Sequence, residues 1–301
     1  MDTILHIQGD LKSPKAPLIL IHAISGLALP YLNLGPLDGR PVYGISAPLY
    51  EQGSAAPLPE SLTEVGSLYV GIVRRHIQPH GPYVLGGWSM GGMIATEMAK
   101  ILTAQGESVP HVIMIDSLNP EKYPPFHDAR EHHLLATLTY NAIARRINGP
   151  EEPLGFAGQG VDTIPSGPSS AHASRDNSDG ELDSDDEQVL ADRFYHQMRQ
   201  HVHHGLRMLA SHRSSLSQGE ARRLPETDAT LVKCKTLDST APLLSEKRRE
   251  FARRIHQDIR SGWADGQFRT LVTAPFRASH DSCLDHEFAD ELTVILQSIL
   301  R

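Results

Sequence analysis

In Gly86-Gly87-Trp88-Ser89-Met90-Gly91-Gly92 a single hydroxyl is set among four glycines, a spacing that can present a serine oxygen as a nucleophile. The apolar run Tyr83-Val84-Leu85 leads in as a strand, and Met93 to Leu102 leads out with helical apolar spacing. The pattern G-x-S-x-G therefore falls across a strand-to-helix turn. Such a turn forces Ser89 into a strained backbone conformation with its Oγ exposed. Gly87 and Gly91 carry no Cβ, so strand and helix can pass close to each other there. The rival chemistry for a glycine-rich strand–helix turn is a phosphate cradle.

A serine hydroxyl is a poor nucleophile at neutral pH. It needs a base, the base needs an orienting acid, and the tetrahedral intermediate needs N–H donors. For a serine on such an elbow the chain order is serine, acid, histidine. Of the 17 histidines, His280 is singled out by position, in Ala278-Ser279-His280-Asp281-Ser282-Cys283-Leu284 between the last strand and the terminal helix. Two acids compete: Asp116 ends the strand after the elbow's helix, and Asp238 ends the next strand. Spacing alone leaves both open. One oxyanion donor is expected at the backbone N–H of Met90. The other is expected in the loop His22-Ala23-Ile24-Ser25-Gly26, at Ile24 or Ala23.

The elements that must position these groups alternate strand and helix. Leu18 to Ile21 is a continuous aliphatic run of the kind buried in parallel sheets. Leu29 to Leu37 has spacing for a short helix, and Pro41 to Ile45 reads as the next strand. Ser61 with Glu64 forms a capping box for a helix towards Ile77. Val109 to Ile115 is a strand closing at Asp116-Ser117. The rhythm breaks at residues 120–228, an insertion between two halves of one sheet, 1–119 and 229–301. Within it 129–147 and Glu187 to Arg213 look helical, while 155–186 is rich in Gly, Ser and Asp and reads as disordered. The sheet resumes with Thr230 to Leu237 and Phe268 to Ala274, around a basic helix at 245–261, and Asp285 to Leu300 closes the chain as a helix.

The 301 residues are 40% apolar and 21% charged, which fits a globular protein able to bury a large core. A net charge of -8 argues against nucleic acid as the main partner. Cys234 and Cys283 give no disulfide framework, and no leader or membrane-length apolar run is visible, so a cytoplasmic protein without a membrane partner is expected. His132-His133 and His201, His203, His204 invite a metal reading. Their helices carry no Cys or carboxylate at ligand spacing, so a solvated or lid-facing role is expected and no metal.

Four segments together resemble the thioesterase domains of polyketide and non-ribosomal peptide synthases, over essentially the whole chain. They are Leu18 to Gly26, Gly87-Trp88-Ser89-Met90-Gly91-Gly92, Ile113-Met114-Ile115-Asp116-Ser117 and Ser279 to Leu284. The resemblance implies an α/β-hydrolase fold, a mostly parallel sheet with helices on both faces and a helical lid over residues 120–228. It implies Asp116 as the acid, since the family's acid follows the strand after the elbow helix in a hydrophobic-Asp-Ser sequence. It puts the second oxyanion donor on Ile24. It implies an acyl pocket shaped by the lid, with Tyr123, Phe126, Leu134, Leu138, Phe194 and Tyr195 as candidates for its lining, although each also suits helix–helix core. The flanks of His280 depart from the family's Gly-Asp-His-hydrophobic-x-Met-Leu, which weakens inference about substrate fit. Asp116-Ser117-Leu118 spells a phosphopantetheine attachment sequence, but a strand leads into it where that site opens a helix, so a free-standing enzyme without its own carrier is expected. The implied activity is release of acyl, polyketide or peptidyl chains from the phosphopantetheine thioester of a partner carrier domain, in secondary-metabolite biosynthesis and with no cofactor of the enzyme's own. An ester or lactone hydrolase, or an acyltransferase or cyclase, could use the same three residues.

Overall fold

The computed structural model describes residues 2–51, 58–154, 184–212, 223–238 and 242–301. Seven strands form one sheet: β1 (Ile4–Gln8), β2 (Leu18–Ile21), β3 (Val42–Ile45), β4 (Val84–Trp88), β5 (His111–Ile115), β6 (Leu224–Thr236) and β7 (Phe268–Ser279). Their spatial order is β1-β3-β2-β4-β5-β6-β7. β1 pairs antiparallel with β3, and every other pairing is parallel. The helices are α1 (Leu62–His76), α2 (Met90–Ala104), α3 (Ala129–Arg146), α4 (Ser184–Ser211), α5 (Glu246–Gln257) and α6 (His286–Ile299).

Period-2 alternation in the central strands feeds two cores at once. Ile19, Ile21, Leu85, Val112 and Met114 face α1 and α2. Leu18, Leu20, Val84, Ile113 and Ile115 face α6 and the buried Tyr31. Both faces are covered, which is why these strands read as unbroken aliphatic runs. A third cluster joins Ala136, Tyr140 and Ala144 of α3 to Met198, Val202 and Leu206 of α4, and seats both on Leu27, Ala47 and Tyr50 from the loops after β2 and β3. The two helices of the insertion thus sit over the carboxyl ends of the strands.

Several boundaries differ from the sequence expectation for local reasons. Leu29–Asn33 is a single 3-10 turn, not a helix to Leu37, because Gly35 and Pro36 follow and the residue before a proline disfavours helix. β6 starts at Leu224, with an irregular register up to Asp228 that gives Pro225-Glu226-Thr227 the look of a turn. β7 runs past Pro275 to Ser279, since it is an edge strand and the missing N–H costs no ladder bond inside the sheet. Ser61 does cap α1, accepting from the N–H of Glu64 at 3.2 Å. The Glu64 carboxylate, however, takes the N–H of Glu60 at 2.9 Å, one residue earlier than a capping box would have it. The stretch 155–186, expected to be disordered, lies outside the described residues except for its last three, which fall in α4.

Candidate active site

Ser89 sits at the junction of β4 and α2 with φ 57° and ψ -121°, a positive-φ conformation that costs a non-glycine residue strain. The surroundings hold it there. A Cβ on Gly87 would lie 2.4 Å from the carbonyl carbon of Gly91, and one on Gly91 would lie 2.1 Å from the carbonyl oxygen of Ile21. No side chain fits at either position. The N–H of Ser89 donates to Ile115 O at 2.9 Å. The N–H of Trp88 donates to the Tyr31 hydroxyl at 2.7 Å, which itself donates to Ile21 O at 2.6 Å. Tyr31 therefore ties the elbow to β2.

Asp116 leaves β5 with φ 44°, and its N–H donates to Val232 O of β6 at 2.8 Å. Its Oδ2 accepts from His280 Nδ1 at 2.8 Å, and its Oδ1 accepts the N–H of Cys234 at 3.1 Å. The Lys233 ammonium lies 4.0 Å from Oδ1. A carboxylate can only accept, so His280 carries its proton on Nδ1 and turns a bare Nε2 towards Ser89 Oγ, 3.0 Å away. Serine, imidazole and carboxylate form one hydrogen-bonded line.

The charges reinforce this geometry. Burial works to raise the Asp116 carboxyl, but the hydrogen bond and charge of His280, the charge of Lys233 and the Cys234 N–H outweigh it and leave the group below the ordinary carboxylate range. Burial works to lower His280, but the bond and charge of Asp116, with the charges of Asp281 and Asp238, leave it above 6.5. Its side chain remains 38% exposed, so the imidazole is reachable from solvent.

The loop that carries His280 is braced on three sides. Trp88 Nε1 donates to His280 O at 3.1 Å, and the Asp238 carboxylate accepts the N–H of Asp281 at 3.1 Å. Arg146, the last residue of α3, donates to Asp281 O and pairs with Asp285. Asp238 thus holds the backbone beside His280, and the bond to the imidazole belongs to Asp116. For the oxyanion donors, Met90 opens α2, where first-turn N–H groups have no intrahelical acceptor. Ile21 pairs with Gly87, so the loop that carries Ile24 and the start of α2 at Met90 follow the ends of adjacent strands.

A protein of Aspergillus terreus named thioesterase pytI is 48% identical over 313 aligned residues, spanning 100% of this chain and 99% of that one. The chain belongs to the thioesterase family. Residues 16–147 also match the family model described as Thioesterase domain. A 120-residue stretch of the non-reducing polyketide synthase PKS16 of Cladonia grayi is 39% identical, covering 40% of this chain and 6% of the synthase. Among solved structures, the NocB thioesterase domain in covalent complex with a fluorophosphonate nocardicin G analogue aligns with a TM-score of 0.59 at 22% identity, covering 96% of this chain and 95% of that one. That likeness, with the strand order above, establishes the α/β-hydrolase fold.

The six pocket candidates of this thioesterase lie apart from the apolar cavity that opens beside Met90. Tyr123 and Phe126 pack on each other and under the Arg248 guanidinium, 5.4 and 4.9 Å from their ring centres. Phe194 meets Tyr50 at a tilt and Tyr195 edge-on, and Tyr195 closes over Gly149. Leu134 and Leu138 are half-buried on α3. Tyr123 and Phe126 stand in the segment before α3, while Phe194 and Tyr195 stand on α4. The cavity is walled instead by Val65, Leu68, Tyr69 and Met208, together with His22 and His201. Among the described residues no group of His, Cys, Asp and Glu could hold a metal ion. His201, expected to be solvated or lid-facing, lies on α4 and is buried, 8% exposed. Tyr31, the Cys234 N–H and the Trp88 indole escaped the sequence reading, because each acts through a backbone group that no residue pattern announces.

Proposed function

We propose that this thioesterase is a serine enzyme that releases acyl, polyketide or peptidyl chains from the phosphopantetheine thioester of a carrier domain. The observation that carries the reading is the unbroken line from Ser89 Oγ through His280 to Asp116, at 3.0 and 2.8 Å. Nε2 takes the Ser89 proton as Oγ bonds to the thioester carbon. The oxygen of the carbonyl gains negative charge, which the N–H groups of Met90 and Ile24 would receive. The C–S bond then breaks, the thiol leaves with the proton from Nε2, and an acyl-serine remains. Water then gives a proton to Nε2 as its oxygen bonds to the acyl carbon; the C–Oγ bond breaks, Oγ takes the proton back from Nε2, and the acid is released. Asp116 stays ionised throughout and stabilises the imidazolium that forms twice per cycle. The enzyme needs no resident cofactor, since phosphopantetheine arrives as part of the substrate.

The carrier partner is supported by the 39% identity with a 120-residue stretch of a non-reducing polyketide synthase. Intact-protein mass measurement after incubation with acyl-carrier substrates tests the reading. The expected result is a transient mass increase of one acyl group on the wild type and none on Ser89→Ala. Wild-type turnover by Ser89→Ala would overturn it.

A further inference from the structure

Beside Met90, α4 roofs a small apolar cavity of ≈ 40 Å³. It belongs to the nucleophile's side of the molecule. Met90 is the residue after Ser89, and Gly205, which also lines the cavity, sits so close to Ile24 that a Cβ there would lie 2.6 Å from Ile24 Cδ1. Four of the lining residues carry polar rings: His22, Tyr69, His201 and His204.

Their hydrogen bonds can be assigned in turn. His22 Nδ1 lies 2.6 Å from Ala23 O and must donate to it, since a carbonyl only accepts. His22 Nε2 is then bare and takes the proton of the Tyr69 hydroxyl, 2.5 Å away. Tyr69 has thereby spent its donor and offers the cavity lone pairs alone. His204 Nε2 donates to Pro59 O at 2.7 Å. His201 is left over. Its ring lies 5.3 Å from that of His22 at 70°, and neither of its nitrogens has a partner among the described residues. Burial, and then the neighbouring His22 and His204 rings, hold it well below its ordinary range, so it is neutral. A neutral imidazole presents one N–H and one bare nitrogen. Two unpaired polar atoms in an apolar chamber are costly unless something that enters the chamber satisfies them.

We propose that His201 is the socket for an oxygen atom carried part-way along the acyl chain, a carbonyl or hydroxyl that its ring N–H meets inside the α4 cavity. A hydroxyl could in addition donate to the bare His201 nitrogen or to Tyr69. An unsubstituted chain offers the ring no partner and leaves it unpaired. The site thus selects oxygenated acyl groups over hydrocarbon ones. This rests on reading Ser89 as the residue that carries the acyl group.

Two measurements test it. In Ser89→Ala protein with 15N-labelled histidine, N-acetylcysteamine thioesters of octanoate and of its 3-, 5- and 7-oxo and hydroxy forms are titrated. At least one oxygenated isomer is expected to move the His201 ring nitrogens, identified by their loss in His201→Gln, while octanoate does not. No isomer moving them beyond the octanoate effect would mean that the ring is satisfied by water and would overturn the proposal. In protein with Ser89 intact, the ratio of kcat/KM for that isomer to kcat/KM for octanoate is expected to fall about tenfold or more in His201→Leu, and less in His201→Gln, which keeps a donor and an acceptor. An unchanged ratio in His201→Leu would equally overturn it. Fluorophosphonate labelling of Ser89 reports separately on the nucleophile, and the nitrogen shifts need no turnover, so a failed socket and a failed nucleophile give different results.

Discussion

Replacing Asp116 by Asn tests the imidazole's tautomer more sharply than removing the acid outright. Asn keeps the shape and one acceptor oxygen. Two environments compete for that oxygen: the Cys234 N–H at 3.1 Å and His280 Nδ1 at 2.8 Å. If the oxygen stays on Cys234, the new NH₂ faces Nδ1 and the imidazole must move its proton to Nε2, where it points at Ser89 Oγ. If the amide flips, NH₂ meets the Cys234 N–H and two donors collide, with the Lys233 ammonium close by. The first arrangement is favoured, and in it His280 cannot accept the serine proton. The expected loss in kcat is about 10,000-fold, or about 5.5 kcal/mol at about 1.4 kcal/mol per decade. The pH profile carries the sign. Asp116 holds His280 above 6.5, so the wild-type acid limb of kcat/KM lies above pH 6.5, where the base becomes neutral. In Asp116→Asn that limb moves to lower pH. Hydrolysis of an acyl N-acetylcysteamine thioester across pH 5–9, with Asp238→Asn in parallel, provides the assay. Asp116→Asn within tenfold of wild type, or Asp238→Asn as the more damaged of the two, would refute the assignment.

Stability should fall in acid through His22. Its folded value, lowered by burial to about 4 against an ordinary 6.5, gives a contribution of about 3 kcal/mol that is full above pH 6.5 and lost as the pH falls towards 4. Urea melts at pH 7 and pH 4 would measure it, and His22→Gln should flatten the difference; an unchanged difference would count against the assignment. Tyr31→Phe leaves the Trp88 N–H and Ile21 O without their bridge, at an expected cost of about 1–3 kcal/mol, read as a lower melting temperature with slower fluorophosphonate labelling of Ser89. Gly91→Ala drives a Cβ to 2.1 Å from a backbone oxygen, and the soluble yield should collapse, whereas Gly71→Ala, where a Cβ meets nothing within 4 Å of it, should express normally.

What the residue order revealed was whatever depends on local pattern. The glycines around Ser89, the aliphatic strands and the strand-end position of Asp116 all announce themselves by spacing. The choice between Asp116 and Asp238 did not. Both end strands one place apart in the sheet, and only the positive φ at Asp116 and its bond to the Cys234 N–H turn that carboxylate to the imidazole. The aromatics at 123, 126, 194 and 195 were expected to line an acyl pocket or a helix–helix core. Their partners could not be read from spacing, because Arg248, more than a hundred residues on, decides where Tyr123 and Phe126 pack. His201 was one histidine in a run of three, and its burial follows from how α4 crosses the loop after β2.

The partners of the serine are made at different times. Ser89 and Asp116 come from β4 and β5, but His280 lies 191 residues after Ser89, and β6, which holds the Asp116 side chain, follows α4. At about 5–20 residues per second of synthesis, roughly 10–40 s separate the emergence of the nucleophile from that of its base. During that interval the elbow has no imidazole to draw off its proton, and the hydroxyl has only ordinary alcohol reactivity. On the proposed mechanism, activity therefore waits for β7, the last strand in the chain. On the same mechanism, a nascent or truncated chain lacking β7 and His280 is expected to be inert towards thioesters rather than acylated and stalled.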